Sequence, residues 1–460
     1  MIALPPQDCA TNTPDSETIR EKRHRLRRTA GYLLPDERVK GCGRYRHSQT
    51  VDIHRSAGGA HFVGLETCGS VWHCPVCAAR IAEQRREEVA QAIEGATDAG
   101  GGAYMLTLTM RHNRRDKLAY LKSAIADGWR KVQNRRAYRT FKARFGIFGT
   151  VRAIEVTHGN ANGWHPHLHI LFLAKRTFAE DELSEVQSIL FELWAEVLLG
   201  LTERYVALEA LDFRPALVSD YITKWGADRE LVKGQQKEGS GSFSPWQMLE
   251  AFCSGNKRAG RLFKEYGETF KGAQQLTWSK GLKDRFGIGD ICDVEAADAG
   301  TETDEAALPL ANLPEGRIGA LDRRAFDEVA RKNLTGQLLD AAHTGGWPSV
   351  CKLLSDNSIP LLLPDSDRWA QPPEPSLPAH PSRYLKWDQE ELRYVKFNSG
   401  ANHFSSSNKA TAYGCPQKRP ESLGAVSTGS NLCTGRPDVA PGNTPQPTDI
   451  NPFTGPGECR

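Results

Sequence analysis

Trp164-His165-Pro166-His167-Leu168-His169-Ile170-Leu171-Phe172-Leu173 is an apolar run that carries three histidines at alternate positions. Successive side chains of a strand point to opposite faces, so as a strand this run sets His165, His167 and His169 along one face and Leu168, Ile170 and Phe172 along the other. A single histidine in a strand is usually a packing residue of ordinary, intermediate burial. Three at a spacing of two, following the turn-rich His158-Gly159-Asn160-Ala161-Asn162-Gly163, describe something else: a strand able to aim two imidazoles at one metal ion.

Upstream, Ile147 to Thr157 alternates, with Ala153, Glu155 and Thr157 on one face and Ile154 and Val156 on the other. This stretch pairs with the histidine strand as a hairpin across residues 158–163 and brings Glu155 near His167 and His169, with the register open by one residue. Ala103-Tyr-Met-Leu-Thr-Leu-Thr109 is rich in strand formers and reads as a central strand. A helix is expected over Lys117 to Arg144. From Gly128 to Arg152 no acidic residue occurs, while Arg130, Lys131, Arg135, Arg136, Arg139, Lys142, Arg144 and Arg152 are basic. Such a run is commonly a solvated helix face, but it is also able to neutralise several phosphates.

Downstream, Leu183, Val186, Leu190, Leu193, Trp194 and Val197 recur at helical spacing and end at Gly200, the pattern of a core-facing helix. Tyr205 to Ala210 reads as a strand. Asp212 to Trp225 reads as a helix capped by Asp212, on which Tyr221 and Lys224, three apart, share a face. This order of elements gives an α+β fold: an antiparallel sheet with the histidine strand at its centre, flanked by helices and preceded by a small cysteine-rich module.

His167-Leu168-His169 resembles the His-hydrophobic-His core of HUH endonucleases, and Gly163-Trp164-His165-Pro166-His167-Leu168-His169 resembles the rolling-circle plasmid replication initiators, or Rep proteins, of the single-tyrosine type. Ala103–Thr109 resembles that family's first motif, and Tyr221-Ile222-Thr223-Lys224 its third. The resemblance implies Mg²⁺ or Mn²⁺ held by His167, His169 and a carboxylate, for which Glu155 is the choice and His165 the reserve, since oxygen ligands suit hard cations. It also implies Tyr221 as nucleophile beside Lys224, a 5′-phosphotyrosyl link, and a free 3′-hydroxyl for a polymerase. The implied partners are DNA, duplex at the plasmid origin and single-stranded at the nick site, with host helicase and DNA polymerase. Some related initiators carry a glutamate one helical turn before the tyrosine. Here that position is Leu217 and the nearest acid is Asp220, which a helix turns well away from Tyr221.

Cys74-Pro75-Val76-Cys77 forms a knuckle that holds two thiolates on one tetrahedral ion, and Cys68 and Cys42 complete a four-sulfur zinc shell, with His73 as the spare ligand. The initiators carry a similar cluster ahead of a basic helix, here Ala78 to Glu94 with Arg80, Arg85 and Arg86 exposed. A redox role for the pair is disfavoured, because no thioredoxin-like unit surrounds it.

Eleven cysteines in 460 residues, an odd number with four at metal-ligand spacing, fit a reducing compartment rather than a disulfide framework. Without an apolar run of about 18 residues or an apolar leader, the expectation is a soluble cytoplasmic protein. A net charge of +3 does not by itself announce a nucleic-acid partner. Gly 42, Pro 26 and a mean hydropathy of −0.50 imply that part of the chain does not fold. The expected organisation is a flexible basic arm over 1–30, rich in cations from Arg20 to Arg28; the zinc module with its basic helix over 31–100; and the nicking domain over 101–285. The last of these ends in a mixed basic and aromatic surface, Arg258 to Leu282, suited to single-stranded DNA. An acidic linker then covers 286–306, a small helical module 307–365, and a disordered tail 366–460. Two other readings remain beside the initiator: a single-strand transposase of the same chemistry, and a zinc-dependent DNA-binding regulator without nuclease activity.

Overall fold

The computed structural model describes residues 17–56, 59–216, 242–299 and 316–361. In chain order its elements are α1 (Ile19–Leu33), β1 (Thr50–Ser56), β2 (Gly59–Val63), α2 (Pro75–Asp98), β3 (Gly102–Leu108), α3 (Leu118–Asn134), α4 (Arg136–Arg144), β4 (Ile147–Gly159), β5 (Gly163–Ala174), α5 (Glu180–Thr202), β6 (Leu211–Pro215), β7 (Ser242–Phe243), α6 (Pro245–Cys253), α7 (Lys257–Phe270), β8 (Leu276–Trp278), α8 (Asp293–Ala299), β9 (Gly316–Asp322), α9 (Arg323–Arg331) and α10 (Thr335–Asp356). The fold is α+β, with two antiparallel sheets.

The larger sheet runs β6-β3-β5-β4-β7, with β8 also pairing to β4, so the histidine strand β5 lies at its centre. Period-two alternation divides its two faces. Leu168, Ile170 and Phe172 point to the side covered by α3, α4 and α5, where they meet Leu121, Ile125, Trp129, Phe141, Leu190 and Trp194 in one core. Each fully buried Leu, Ile or Phe in this layer contributes roughly 1.5–3 kcal/mol. On the opposite face, α2 lays Val89, Ala92, Ile93 and Ala96 over Met105, Val151, Leu171 and Leu173. That helix covers the half of the face below the histidines.

The smaller sheet runs β2-β1-β9 and is covered by α9 and α10, with Val51, Ile53, Ala60, Leu321, Phe326, Leu338 and Leu339 in its core. Residues 316–361 therefore do not form a helical module of their own. They supply the partner strand for β1 and half of a core begun more than 250 residues earlier.

Residues 17–33 differ from the expected arm in the same way. Thr18 and Glu21 form a capping box at the start of α1, and Leu26, Ala30 and Leu33 are buried. The arginines follow them inward: Arg20 pairs with Asp340 of α10 at 2.5 Å and Arg25 with Glu17 at 2.7 Å. Their charge is spent within the protein. The single helix expected over 117–144 breaks at Arg135, whose extended backbone (φ −74°, ψ 144°) ends α3 and starts α4. The expected strand at 205–210 is replaced by a short 3₁₀ turn, Leu208–Ala210, and Asp212 lies in β6 rather than capping a helix. Within the expected acidic linker, Asp293–Ala299 is helical and packs on α2. No helix of the described residues is long and apolar enough to cross a membrane.

Candidate metal centres

The β4–β5 register sets Glu155 directly opposite His167 and Ala153 opposite His169. Donor atoms of Glu155, His167 and His169 all lie within 4.8 Å of one another. Glu155 Oε2 and His169 Nε2 are 3.0 Å apart, about the separation of two adjacent ligands on an octahedral ion with bonds near 2.1 Å. Burial, then the neighbouring His165, pushes the His167 imidazole down to about 4, and burial with His112 does the same to His165. Both rings are neutral at pH 7, the form that ligates metals. His165 is not in the three-residue group; its ring stands edge-on to His167 with centroids 4.2 Å apart, and its other neighbour is His112 at 4.6 Å.

One residue to which the sequence assigned no role of its own supports this group. Thr107, on β3 directly beside His169, places Oγ1 3.3 Å from His169 Nδ1, the nitrogen on the far side of the ring from Glu155. Asp212 of β6 is the next residue along the same row, paired with Thr107. A threonine at that position of a strand has many explanations and carried no local signal, while Asp212 is exposed and pairs with Arg214.

The second group is Cys42, Cys68, Cys74 and Cys77, all buried and free of disulfides. Their sulfurs are 3.7 Å (Cys42–Cys74), 3.5 Å (Cys42–Cys77) and 3.5 Å (Cys68–Cys77) apart. A tetrahedral ion with bonds of about 2.3 Å holds its sulfurs roughly 3.8 Å apart, so the cage has the size of a zinc-type site. Hydrogen bonds from Cys68, Cys74 and Cys77, with Arg27 nearby, hold the Cys42 thiol well below the ordinary thiol range. His73 is turned away and donates from Nε2 to the Gly267 carbonyl at 2.9 Å. Cys74 is also the N-cap of α2, so the cage fixes the start of the helix that covers the histidine face. Of the arginines expected to be exposed on that helix, Arg80 is buried and donates to the Ala297 carbonyl, Arg85 pairs with Glu88 and Asp293, and Arg86 pairs with Glu83.

The basic block lies away from the histidines. Arg130, Lys131, Arg136 and Arg139 on α3 and α4, with Arg135 at the break between them, sit behind the opposite face of the sheet, where Arg130 pairs with Asp127 and Arg135 with Glu196. Tyr221 and Lys224, together with Leu217 and Asp220, lie outside the described residues, as does the segment 366–460.

Fold and sites define a class: an α+β protein whose antiparallel sheet presents two histidines and a glutamate as one candidate metal group, beside a second group of four cysteines. A model of a replication-protein family matches residues 64–208. Over 366 aligned residues the chain is 28% identical to Protein rep of Streptomyces lividans, spanning 63% of this chain and 80% of that protein. It is 31% identical over 107 residues to Protein rep of Bacillus amyloliquefaciens, spanning 23% of this chain and 30% of that one. Over 142 residues it is 33% identical to a neomycin resistance protein of Streptomyces cyanogenus, spanning 26% of this chain and 32% of the other. No solved structure matches. These similarities support a family of plasmid replication initiators for this chain.

Proposed function

We propose that this protein starts rolling-circle replication of a plasmid by binding the double-strand origin and nicking one strand through tyrosine transesterification. The observation that carries the reading is the Glu155–His167–His169 group at the centre of the sheet in a chain similar to this family. His167 and His169 offer two imidazole nitrogens and Glu155 one carboxylate, a donor set that suits Mg²⁺ or Mn²⁺. The bound ion supplies polarisation of the scissile phosphate and neutralises charge on it. Thr107 holds the His169 ring in orientation from behind.

Tyr221 is the nucleophile in this reading, supported by its likeness to the family's third motif. Its phenolic oxygen attacks phosphorus, the bond from phosphorus to the 3′ oxygen breaks, and that oxygen takes up a proton. The phenol releases its own proton, a step eased by Lys224 because an unperturbed tyrosine titrates near ~10. The 5′-phosphate remains on Tyr221, which keeps the energy of the diester for rejoining, and the free 3′-hydroxyl is extended by the host polymerase after helicase unwinding. The four cysteines hold a structural zinc that anchors α2. Incubation of the protein with Mn²⁺ and single-stranded origin DNA tests the reading: a covalent protein–DNA adduct stable to denaturant supports it, and its absence across the plasmid's origin sequences overturns it.

A further inference from the structure

The loop 111–117, Arg-His-Asn-Arg-Arg-Asp-Lys, leaves β3 on the rim of the sheet next to the histidines. It is built rather than loose. Asp116 accepts from Arg204 at 2.6 and 3.1 Å and from the Asn113 backbone at 2.8 Å, while Asn113 Oδ1 accepts from the Arg115 backbone at 3.0 Å. The loop also lies on the hairpin turn: the Arg114 backbone passes so close to Gly163 that a Cβ there would sit 2.9 Å from Arg114 Cα, and Gly163 has φ +78°. His112 completes the contact, with Nδ1 3.0 Å from the Asn162 carbonyl and its ring against His165.

The Arg204–Asp116 pair cancels the loop's one acid. Arg111, Arg114, Arg115 and Lys117 remain exposed and make no ion pair among the described residues. Arg111, His112, Asn113, Glu203, Arg204 and Tyr205 line an open cavity of about 400 Å³. Tyr205 at its edge is 73% exposed, a large ring with a free face. A cluster of cations beside an exposed aromatic ring is the chemistry that holds an unpaired strand, phosphates on the cations and a base on the ring.

We infer that this loop and Tyr205 seat the single-stranded DNA flanking the scissile phosphate, with Arg111, Arg114 and Arg115 on its phosphates and one unpaired base stacked on Tyr205. The inference rests on the nicking reading for its place in the reaction, but strand binding is measured apart from cleavage. It assigns the strand contact to the histidine side of the sheet, not to the basic block of α3 and α4.

The test uses a fluorescein-labelled oligothymidylate, the full chain and EDTA, so that no cleavage occurs. Arg111→Ala/Arg114→Ala/Arg115→Ala lowers affinity at least about tenfold and reduces the slope of log affinity against log salt by about two, as expected for three single-strand phosphate contacts. Tyr205→Ala lowers affinity roughly tenfold through lost stacking and leaves the slope unchanged. Arg130→Ala/Lys131→Ala/Arg136→Ala/Arg139→Ala changes little. Wild-type affinity in the loop variant or in Tyr205→Ala, or an equal or larger loss in the helix variant, overturns the inference. If wild-type protein forms no covalent adduct with origin DNA yet the loop variants lose oligothymidylate affinity as stated, the nicking reading fails and the strand site stands. If adduct forms normally and the loop variants bind like wild type, the reverse holds.

Discussion

Thr107 and Glu155 bracket the His169 ring: Thr107 Oγ1 is 3.3 Å from Nδ1, and Glu155 Oε2 is 3.0 Å from Nε2. The threonine comes from β3 and the glutamate from β4, so the two strands on either side of β5 fix the ring between them. An outer-shell partner of this kind orients a ligand and its loss typically costs 10–100-fold in metal affinity. Thr107→Val keeps the shape and removes the hydroxyl. Titration with Mn²⁺ should show affinity weaker by about tenfold with thermal stability nearly unchanged; equal Mn²⁺ affinity would show that Thr107 does not position the ring.

Removing the group itself separates chemistry from binding. His167→Ala, His169→Ala and Glu155→Ala should each abolish Mg²⁺- or Mn²⁺-dependent cleavage of origin DNA. Zinc content and oligothymidylate binding in EDTA should stay close to wild type, because phosphate contacts dominate affinity for DNA. If binding falls in step with cleavage, the three residues serve structure instead.

For the cysteine cage the expected stoichiometry is one zinc per chain in freshly purified, reduced protein, read by elemental analysis. Cys74→Ser removes a sulfur and weakens the cap of α2 together, so it should lose the zinc and destabilise the packing of Val89, Ala92 and Ile93 on the sheet. The signature is a lower melting temperature and loss of divalent-ion affinity at the histidine group, whose lower neighbours α2 covers. Protein free of zinc, with an unaltered melting curve after prolonged chelation, contradicts a structural site.

How far the sequence reaches is visible in two contrasts. The hairpin of β4 and β5 is legible because period-two alternation and a glycine-bearing turn are local, and they bring Glu155 to the histidines within one residue of register. Helix α1 was not legible as a buried element, because its composition is that of a solvated arm. What buries it is distant in sequence: Arg20 finds Asp340, and His24 Nδ1 lies 2.9 Å from Thr335 Oγ1. The same distance hid the small sheet, where β1 takes β9 as its partner. Basic runs misled for a related reason, since charge counts along the chain do not say which face of the sheet a helix covers. Residues 130–139 carry more cations than residues 111–117, yet the shorter loop is the one beside the histidines.

That architecture makes its own prediction. A chain ending before Gly316 leaves β1 without β9 and exposes Val51, Ile53 and Ala60, all fully buried in the intact protein. It should aggregate or show a markedly lower melting temperature. The point variant Asp340→Ala removes the carboxylate that pairs with Arg20, 1% exposed, and should lower stability. Denaturant unfolding measures it. A truncated chain that melts like the full one would mean that residues 316–361 are an independent module.

The last prediction concerns one oxygen atom. Tyr221→Phe keeps nearly all of the ring volume, so folding and zinc content should be unchanged. With Mn²⁺ and a single-stranded oligonucleotide spanning the nick site, wild type should yield an adduct stable to denaturant and the variant none, while both bind the oligonucleotide alike. Peptide mapping of the wild-type adduct should place the DNA on Tyr221. Two other tyrosines serve as internal controls: Tyr266 is buried against Trp72 and Phe270, whereas Tyr205 is exposed and lines one cavity with His112, which packs on His165, and is the competitor to watch. Lys224→Ala should slow adduct formation most at low pH and less as pH rises, because an alkaline medium replaces the help it gives in deprotonating the phenol. An adduct on Tyr221→Phe that maps to Tyr205 would move the nucleophile to the segment after α5 and leave the nicking chemistry intact.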